Sequence, residues 1–286
     1  MSGSLSGEQV ASFGEDGFLF PLRVASSEQT AAWCDEIESF ERRWRDDPGL
    51  PRPFVDYTRA NFHIVSVVAA RLAHQNAILD AVESLIGPDI LCWMAELIVK
   101  EPQTSKLLSV HQDLTYWGLN GADGLVTAWL ALSDATVANG AMRFVRASHL
   151  RGQVVHRDTF DENNLLSRGQ EIVVDFDPDD LVDVELQAGE MSLHHGLMFH
   201  GSGANGTDGR RIALVMRFVS PAVAQTVGAR DFAMTVRGVN RSNHLLSTPV
   251  PFADFTPSAL ALHAEITAAQ EAPLAANATD QLCYGR

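Results

Sequence analysis

The first 90 residues carry the hydrophobic periodicity of helices. Ser6 and Gln9 form a capping box that begins a predicted short helix, and Gly17 ends it. A second helix follows, because its apolar residues recur every three or four positions: Trp33, Ile37, Phe40 and Trp44. A third helical stretch is predicted over roughly 65–86, before a Gly-Pro pair.

From about residue 90 the pattern changes to short β-rich segments separated by turn formers such as Asn120-Gly121. The predicted strands are 91–100, 107–117, 125–132, 142–145, 182–187, 191–195 and 212–219. Many short strands at this spacing favour an antiparallel sandwich or jelly roll over alternating β/α units. The segment 256–272 predicts a closing helix.

These patterns predict a single domain over residues 1–286 that is mainly β with helices. We expect a helical N-terminal layer at about 1–89, a jelly-roll core at about 90–221, and C-terminal strands and a helix at about 222–275. The last dozen residues are expected to form a loose tail.

Charge and cysteine content narrow the class of protein. The 21 Lys+Arg against 36 Asp+Glu give a formal net charge of −15, which disfavours nucleic acid and anionic membranes as partners. Three scattered cysteines make no disulfide framework. No secretory signal or long apolar run is visible, so we expect a cytoplasmic protein that binds a small molecule. The oligomeric state stays open.

The segment VHQDLTYWG places His111 and Asp113 two residues apart in a predicted strand, where alternation would turn both side chains to one face. A histidine nitrogen and a carboxylate on one face supply two of the three ligands in the 2-His-1-carboxylate set that holds non-haem Fe(II). The alternative is a buried histidine that only forms a hydrogen bond with its neighbouring aspartate.

A second segment, HGSGANGTDGRRIALVMRF, begins at His200 and returns to a strand at Arg211. Strand parity puts Arg211 and Arg217 on one face and Arg210 on the other, so one arginine of the adjacent pair enters the sandwich. A buried guanidinium is costly unless it meets an anion, and its planar fork matches a carboxylate. The buried arginine could bind a dicarboxylate cosubstrate or form a structural salt bridge.

Together the HxD motif, the distal HGSxxN motif and the trailing arginine resemble the phytanoyl-CoA dioxygenase-like family of Fe(II)/2-oxoglutarate oxygenases. LSGEQVASFGEDGFLFPL and AWLALSDATVANGAMRFVRASH also resemble that family, so the matched segments run from about residue 5 to 221. The resemblance implies a double-stranded β-helix core of the cupin-like jelly-roll type. It also implies His111, Asp113 and His200 as iron ligands, and Arg211, Ser202 and Trp129 as residues that bind 2-oxoglutarate.

The implied activity is oxidation of an unactivated C–H bond with O2, releasing succinate and CO2. Related halogenases lack the carboxylate ligand, so the presence of Asp113 favours a hydroxylase. A metal-binding jelly roll that is non-catalytic, or that works without 2-oxoglutarate, is the alternative. His194 and His195 are rivals for the third ligand position. Four further histidines are expected to be structural: His63, His149, His156 and His244.

The sequence says little about the substrate. Trp117 shares strand parity with the HxD pair, and Tyr116 beside it could line a pocket for an apolar or cationic group, although packing in the core would explain both rings. Arg217 could bind an anionic group or pair with an acidic neighbour. We expect a small polar metabolite, because no basic patch for a CoA tail is evident.

Overall fold

The computed structural model describes residues 4–228 and 230–275. Its helices are α1 Gly7–Asp16, α2 Ser27–Trp44, α3 Phe54–Thr58, α4 Phe62–Val65, α5 Val67–Ala73, α6 Asn76–Ile86 and α7 Pro257–Ala275. The predicted capping box begins α1, where the Ser6 hydroxyl accepts the Gln9 N–H, and Gly17 ends the helix in a left-handed conformation. None of the described helices is long and apolar enough to cross a bilayer.

The strands are β1 Phe18–Arg23, β2 Ile90–Lys100, β3 Leu108–His111, β4 Leu125–Ala131, β5 Met142–Val145, β6 His156–Arg157, β7 Glu171–Ile172, β8 Leu181–Val184, β9 Glu190–His195, β10 His200–Ser202, β11 Arg211–Val219, β12 Phe232–Arg237 and β13 Leu246–Thr248. They form a seven-stranded sheet in the order β1-β9-β4-β11-β2-β12-β13, a four-stranded sheet β3-β10-β5-β8, and the small pair β6-β7. All pairs are antiparallel except β12 with β13. The predicted mainly-β jelly roll is confirmed.

The large sheet has two differently covered faces. Alternate residues of β11, including Ile212 and Leu214, pack with helices α2, α4, α5 and α6 in the largest apolar cluster. The residues between them, Ala213 and Val215, pack against Phe144 of the small sheet. Parity on β11 is therefore as predicted, and the even-numbered positions face the helical layer while the odd-numbered ones face the space between the sheets.

Two predicted elements differ from the structure. The helix expected over roughly 65–86 is broken into α5 and α6, and α4 ends at its first residue. Ser66 separates α4 from α5, because its backbone is extended and its hydroxyl caps α5 by accepting the Ala69 N–H. The strand expected over 107–117 ends at His111, and a 3₁₀ turn follows at Leu114–Tyr116. The strands β1, β6, β7 and β10 were not among the strands predicted from the pattern, whereas β12 and β13 lie in the region where C-terminal strands were expected. The expected loose tail lies mostly outside the described residues.

Candidate metal and cosubstrate site

Two histidines and one aspartate converge in the four-stranded sheet, where β3 ends and β10 begins. The Nε2 atoms of His111 and His200 lie 3.6 Å and 3.8 Å from Asp113 Oδ1. One ligand atom from each of the three residues lies within 4.8 Å of the other two, and all three side chains are buried. This separation leaves room for one ion bound by all three, as in the facial triad of non-haem iron.

The backbone orients both imidazoles for metal binding. His111 Nδ1 lies 2.8 Å from the Ser109 carbonyl oxygen, and His200 Nδ1 lies 2.9 Å from that of Met198. A carbonyl can only accept, so each Nδ1 carries the proton and each Nε2 lone pair points at the shared centre. Burial together with His111 holds the pKa of His200 well below its ordinary value, which keeps the ring neutral.

The triad forms by strand pairing and a turn, and not by the strand parity that the sequence suggested. β10 pairs with β3 so that His200 lies opposite His111. Asp113 lies beyond the end of β3 with helical φ and ψ angles of −61° and −51°. The prediction that His111 and Asp113 share one face of a continuous strand was therefore wrong in its geometry, although the two side chains do meet.

Arg217 supports the carboxylate of the triad. Its Nε lies 3.7 Å from Asp113 Oδ2, and its Nη1 lies 3.0 Å from Glu96 Oε2. Burial opposes ionisation of Asp113, but the positive charge of Arg217 and the nearby imidazoles of His200, His111 and His194 outweigh it and hold the pKa of Asp113 well below its usual range. The acidic neighbour expected as one alternative for Arg217 is Glu96, which also pairs with Arg59 at 2.8 Å.

Arg211 is fully buried between the sheets, and among the described residues its charge has no acidic partner. Its Nε, Nη1 and Nη2 groups donate to none of these residues, and its guanidinium carbon lies 5.1 Å from the centroid of the Trp129 ring. Burial, with Arg59 nearby, lowers the pKa of Arg211 to about 9. Five unused N–H donors in a buried cation indicate that an anion belongs there.

The HxD turn opens into a cavity lined by His111, Asp113 and all three predicted substrate residues, Tyr116, Trp117 and Arg217. Trp117 follows the 3₁₀ turn, so the strand parity invoked for it does not apply. Its ring packs 4.9 Å from that of Trp93 and lies 4.9 Å from the Arg217 guanidinium carbon. Glu96 also lines this cavity, together with Arg59 and Gln270.

The rival histidines take other positions. His194 is buried, and its Nε2 lies 3.9 Å from Asp113 Oδ2 with neither ring nitrogen hydrogen-bonded. His195 turns away, since its Nδ1 accepts the Leu197 N–H and its Nε2 lies 3.9 Å from the exposed Asp123.

The four histidines expected to be structural contribute no ligand atom to the triad, although His156 contacts the backbone between two of its members. His63 is buried in the helical layer, and His244 is exposed. The Nε2 of His149 lies 3.1 Å from the Gly14 carbonyl oxygen. His156 Nε2 accepts the Gln112 N–H.

The sequence model of the family described as Phytanoyl-CoA dioxygenase (PhyH) matches residues 13–213, which span the triad and Arg211. The chain belongs to this family. Among curated proteins it is 29% identical over 157 residues to a probable phytanoyl-CoA dioxygenase of Caenorhabditis elegans, a match that covers 52% of this chain and 50% of that one. The match thus spans half the length of that relative.

Solved structures extend the likeness to almost the whole chain. The non-heme monooxygenase ThoJ in its apo form is 34% identical, with a TM-score of 0.80 over 93% of this chain and 97% of that one. CytC3 with Fe(II) and alpha-ketoglutarate is 20% identical, with a TM-score of 0.67 over 90% and 98%, and it shows the shared fold.

Several polar residues of the site were not predicted from the sequence. Glu96 and Lys100 stand in the strand ILCWMAELIVK, where a charge inside an apolar run was the available signal. Gln112 lies between the two HxD residues, and its side-chain Nε2 donates hydrogen bonds to the Gly152 and Leu197 carbonyl oxygens at 2.9 Å and 2.7 Å. Arg59, in a loop after α3, has no comparable signal in the sequence.

Proposed function

We propose that this protein is an Fe(II)- and 2-oxoglutarate-dependent oxygenase that hydroxylates an unactivated C–H bond of a small molecule. The overall reaction converts substrate, 2-oxoglutarate and O2 into hydroxylated product, succinate and CO2. The observation that carries the proposal is the buried, partnerless Arg211 in the same inter-sheet space as a His-Asp-His set. A metal triad alone fits many enzymes, but a triad with a buried cation also requires an anionic co-reactant.

Both groups fit the residues present. The set of two neutral imidazoles and one carboxylate suits Fe(II), and three ligands on one side leave positions for other groups. Iron with 2-oxoglutarate and O2 would supply the oxidising equivalent for C–H cleavage. His111, Asp113 and His200 would hold the ion, and Arg211 would bind the far carboxylate with the Ser202 hydroxyl, while the Trp129 ring fixes the plane of the guanidinium.

Other residues would orient the metal-binding carboxylate or contact the substrate. Arg217 would keep Asp113 ionised and oriented, a role that its position between Asp113 and Glu96 supports. Tyr116 and Trp117 would form the aromatic wall against which the substrate lies. Because Glu96 already neutralises Arg217, we assign Arg217 to Asp113 and not to an anionic group of the substrate.

The carboxylate ligand bears on the type of reaction. Asp113 fills the position that a halide would need, so we propose hydroxylation and not halogenation. The competing function is a jelly roll that binds metal without 2-oxoglutarate. It does not account for the five buried N–H donors of Arg211.

Anaerobic absorption spectroscopy tests the proposal. Fe(II) and 2-oxoglutarate together should give the wild-type protein a weak visible charge-transfer band that neither gives alone. Arg211→Met should lose the band at the same concentrations. Arg210→Met is the matched control, because Arg210 points to the helical layer and pairs with Glu41 at 3.0 Å. A wild-type protein that binds Fe(II) but gives no band at saturating 2-oxoglutarate would contradict the proposal.

A second experiment addresses the substrate. Small amines, amino acids and other polar metabolites would be incubated with Fe(II), 2-oxoglutarate and O2, with succinate formation and a product mass 16 Da above the substrate as readouts. Succinate formation supported by acyl-CoAs alone would overturn the assignment to a small polar metabolite. A product lighter by two hydrogens would indicate desaturation in place of hydroxylation.

A further inference from the structure

A guanidinium group with unused donors faces the substrate cavity. Arg59 follows α3 and lines the cavity that holds His111 and Asp113, with 12% of its side chain exposed. Its Nη2 donates a hydrogen bond to the Leu165 carbonyl oxygen at 3.0 Å. Its Nε lies 2.8 Å from Glu96 Oε1, without the alignment of a hydrogen bond. Because Nη1 donates to none of the described residues, its N–H groups are available to a ligand.

Glu96 does not neutralise both arginines that contact it. Its Oε2 accepts a hydrogen bond from Arg217 Nη1 at 3.0 Å, whereas its contact with Arg59 lacks that geometry. Asp113, the other acid beside Arg217, belongs to the metal triad. Among the described residues that line the cavity, two guanidinium groups therefore share one carboxylate that is free of the metal. A surplus positive charge in a buried site is costly unless an anion joins it.

This surplus charge lies on the substrate side of the triad. The described lining of the cavity includes the predicted substrate residues Tyr116 and Trp117. It does not include Arg211 or Ser202, which are assigned to 2-oxoglutarate. An anion bound at Arg59 would therefore be a different group from the cosubstrate carboxylate at Arg211.

The aromatic side chains of the cavity do not favour a cationic ligand. The Arg217 guanidinium carbon lies 4.9 Å from the centroid of the Trp117 ring, and that of Arg168 lies 5.1 Å from the centroid of the Tyr116 ring. One face of each ring is thus already occupied by a cation of the protein. A positively charged substrate group would be repelled by Arg59 as well, whereas a single carboxylate would balance the surplus charge.

We propose that Arg59 binds the carboxylate of a monoanionic substrate, and that this residue makes the enzyme selective for small organic acids with an apolar or aromatic body. This inference rests on the proposed function. The body would lie against Trp93 and Trp117, whose rings are 4.9 Å apart in the same cavity. An acyl-CoA, with its several phosphate charges, would bring more negative charge than the cavity has to neutralise.

Binding of three matched compounds tests the selectivity. They are 4-fluorophenylacetate, its neutral amide 4-fluorophenylacetamide, and the cationic 4-fluorophenethylamine, and fluorine NMR would measure the Kd of each. The full chain would carry Zn(II) in place of Fe(II), which avoids turnover and paramagnetic broadening of the signal. Saturating 2-oxoglutarate would keep the carboxylate away from Arg211 and the metal, and calorimetry would first establish that 2-oxoglutarate binds.

The wild type should bind the carboxylate at least tenfold more tightly than the amide or the amine, which corresponds to about 1.4 kcal/mol. Arg59→Met should raise the Kd of the carboxylate to that of the amide and leave the Kd of the amide within about twofold. The variant should fold, because Glu96 keeps its hydrogen bond with Arg217. Arg71→Met is the matched control, since Arg71 pairs with Glu36 on the surface and should not affect any of the three compounds.

The outcomes separate this inference from the proposed function. A wild type that does not bind 2-oxoglutarate contradicts the proposed function itself. A wild type that binds 2-oxoglutarate but shows no preference for the carboxylate, or binds none of the three compounds, overturns the role of Arg59 alone. A preference that persists in Arg59→Met overturns it equally. If Arg59→Met does not fold, Arg59→Gln takes its place with the same expectation, because glutamine removes the charge and keeps a donor for the Leu165 carbonyl.

Discussion

Replacing Arg211 with methionine should make the metal-free, cosubstrate-free protein more stable while removing its ability to bind 2-oxoglutarate. Methionine has a similar length, and the site it would enter is apolar apart from Lys100 and Ser202. The guanidinium has no acceptor, so its removal breaks no hydrogen bond that the structure contains. Replacing buried charges by apolar side chains is often stabilising for this reason.

The size of the effect follows from the electrostatics. The change in the pKa of Arg211 from 12.5 to about 9 corresponds to about 5 kcal/mol against the charged form. Because a lowered pKa destabilises a cation at every pH below it, the full cost is present at pH 7 and declines only as the pH rises above 9. Contact with the Trp129 ring offsets about 1–2 kcal/mol. We therefore expect a net gain of about 3–4 kcal/mol for Arg211→Met.

Urea and thermal unfolding would measure this gain in the free energy of unfolding. At about 2–4 °C per kcal/mol for a chain of this size, the melting temperature should rise by at least about 4 °C. With Fe(II) present in both proteins, adding 2-oxoglutarate at about 100 times Kd should then stabilise the wild type by about 2.7 kcal/mol and leave the variant unchanged. Arg210→Met should not stabilise, since its partners are acidic. A ligand-free Arg211→Met protein less stable than the wild type would refute the reasoning.

Four further variants test other parts of the structure. Asp113→Ala should lose hydroxylation and bind Fe(II) at least tenfold more weakly by calorimetry, and full turnover would exclude Asp113 as a ligand. Ile37→Ala, in the fully buried core of α2, should cost about 2–5 kcal/mol in urea unfolding without changing the Kd for 2-oxoglutarate. Gly17→Ala should cost more than about 1 kcal/mol, because φ is 84° and the new Cβ would lie 2.2 Å from Met198 Cε; an unchanged melting temperature would contradict this. Burial lowers the pKa of His63 to about 3, so stability should fall as the pH drops below 6.5, by about 2 kcal/mol at pH 5 relative to pH 7, and His63→Leu should remove that loss in urea titrations at the two pH values.

Local sequence determined those features that depend on one element at a time. The period-2 alternation of β11 decides that Arg211 enters the sandwich while Arg210 leaves it, and no tertiary information is needed for that distinction. The capping residues of α1 and the left-handed glycine after it are equally local. The helical layer was predictable in outline, but its breaks were not, because Ser66 fits a helix interior or a cap and only its neighbours decide between them.

Contacts between residues on different elements could not be predicted from local sequence. Glu96, Lys100 and His194 are far from the HxD pair in sequence, and they reach it or Arg211 only through the order in which the strands pair. Asp113 reaches the histidines because β3 ends and the chain turns, which a strand pattern cannot indicate. Side-chain periodicity specifies a face, whereas the charges and cavities on that face depend on which distant strand lies against it. The sequence therefore indicated the candidate metal ligands and the direction of one arginine, whereas tertiary packing decides which buried cations and acids share the space between the sheets.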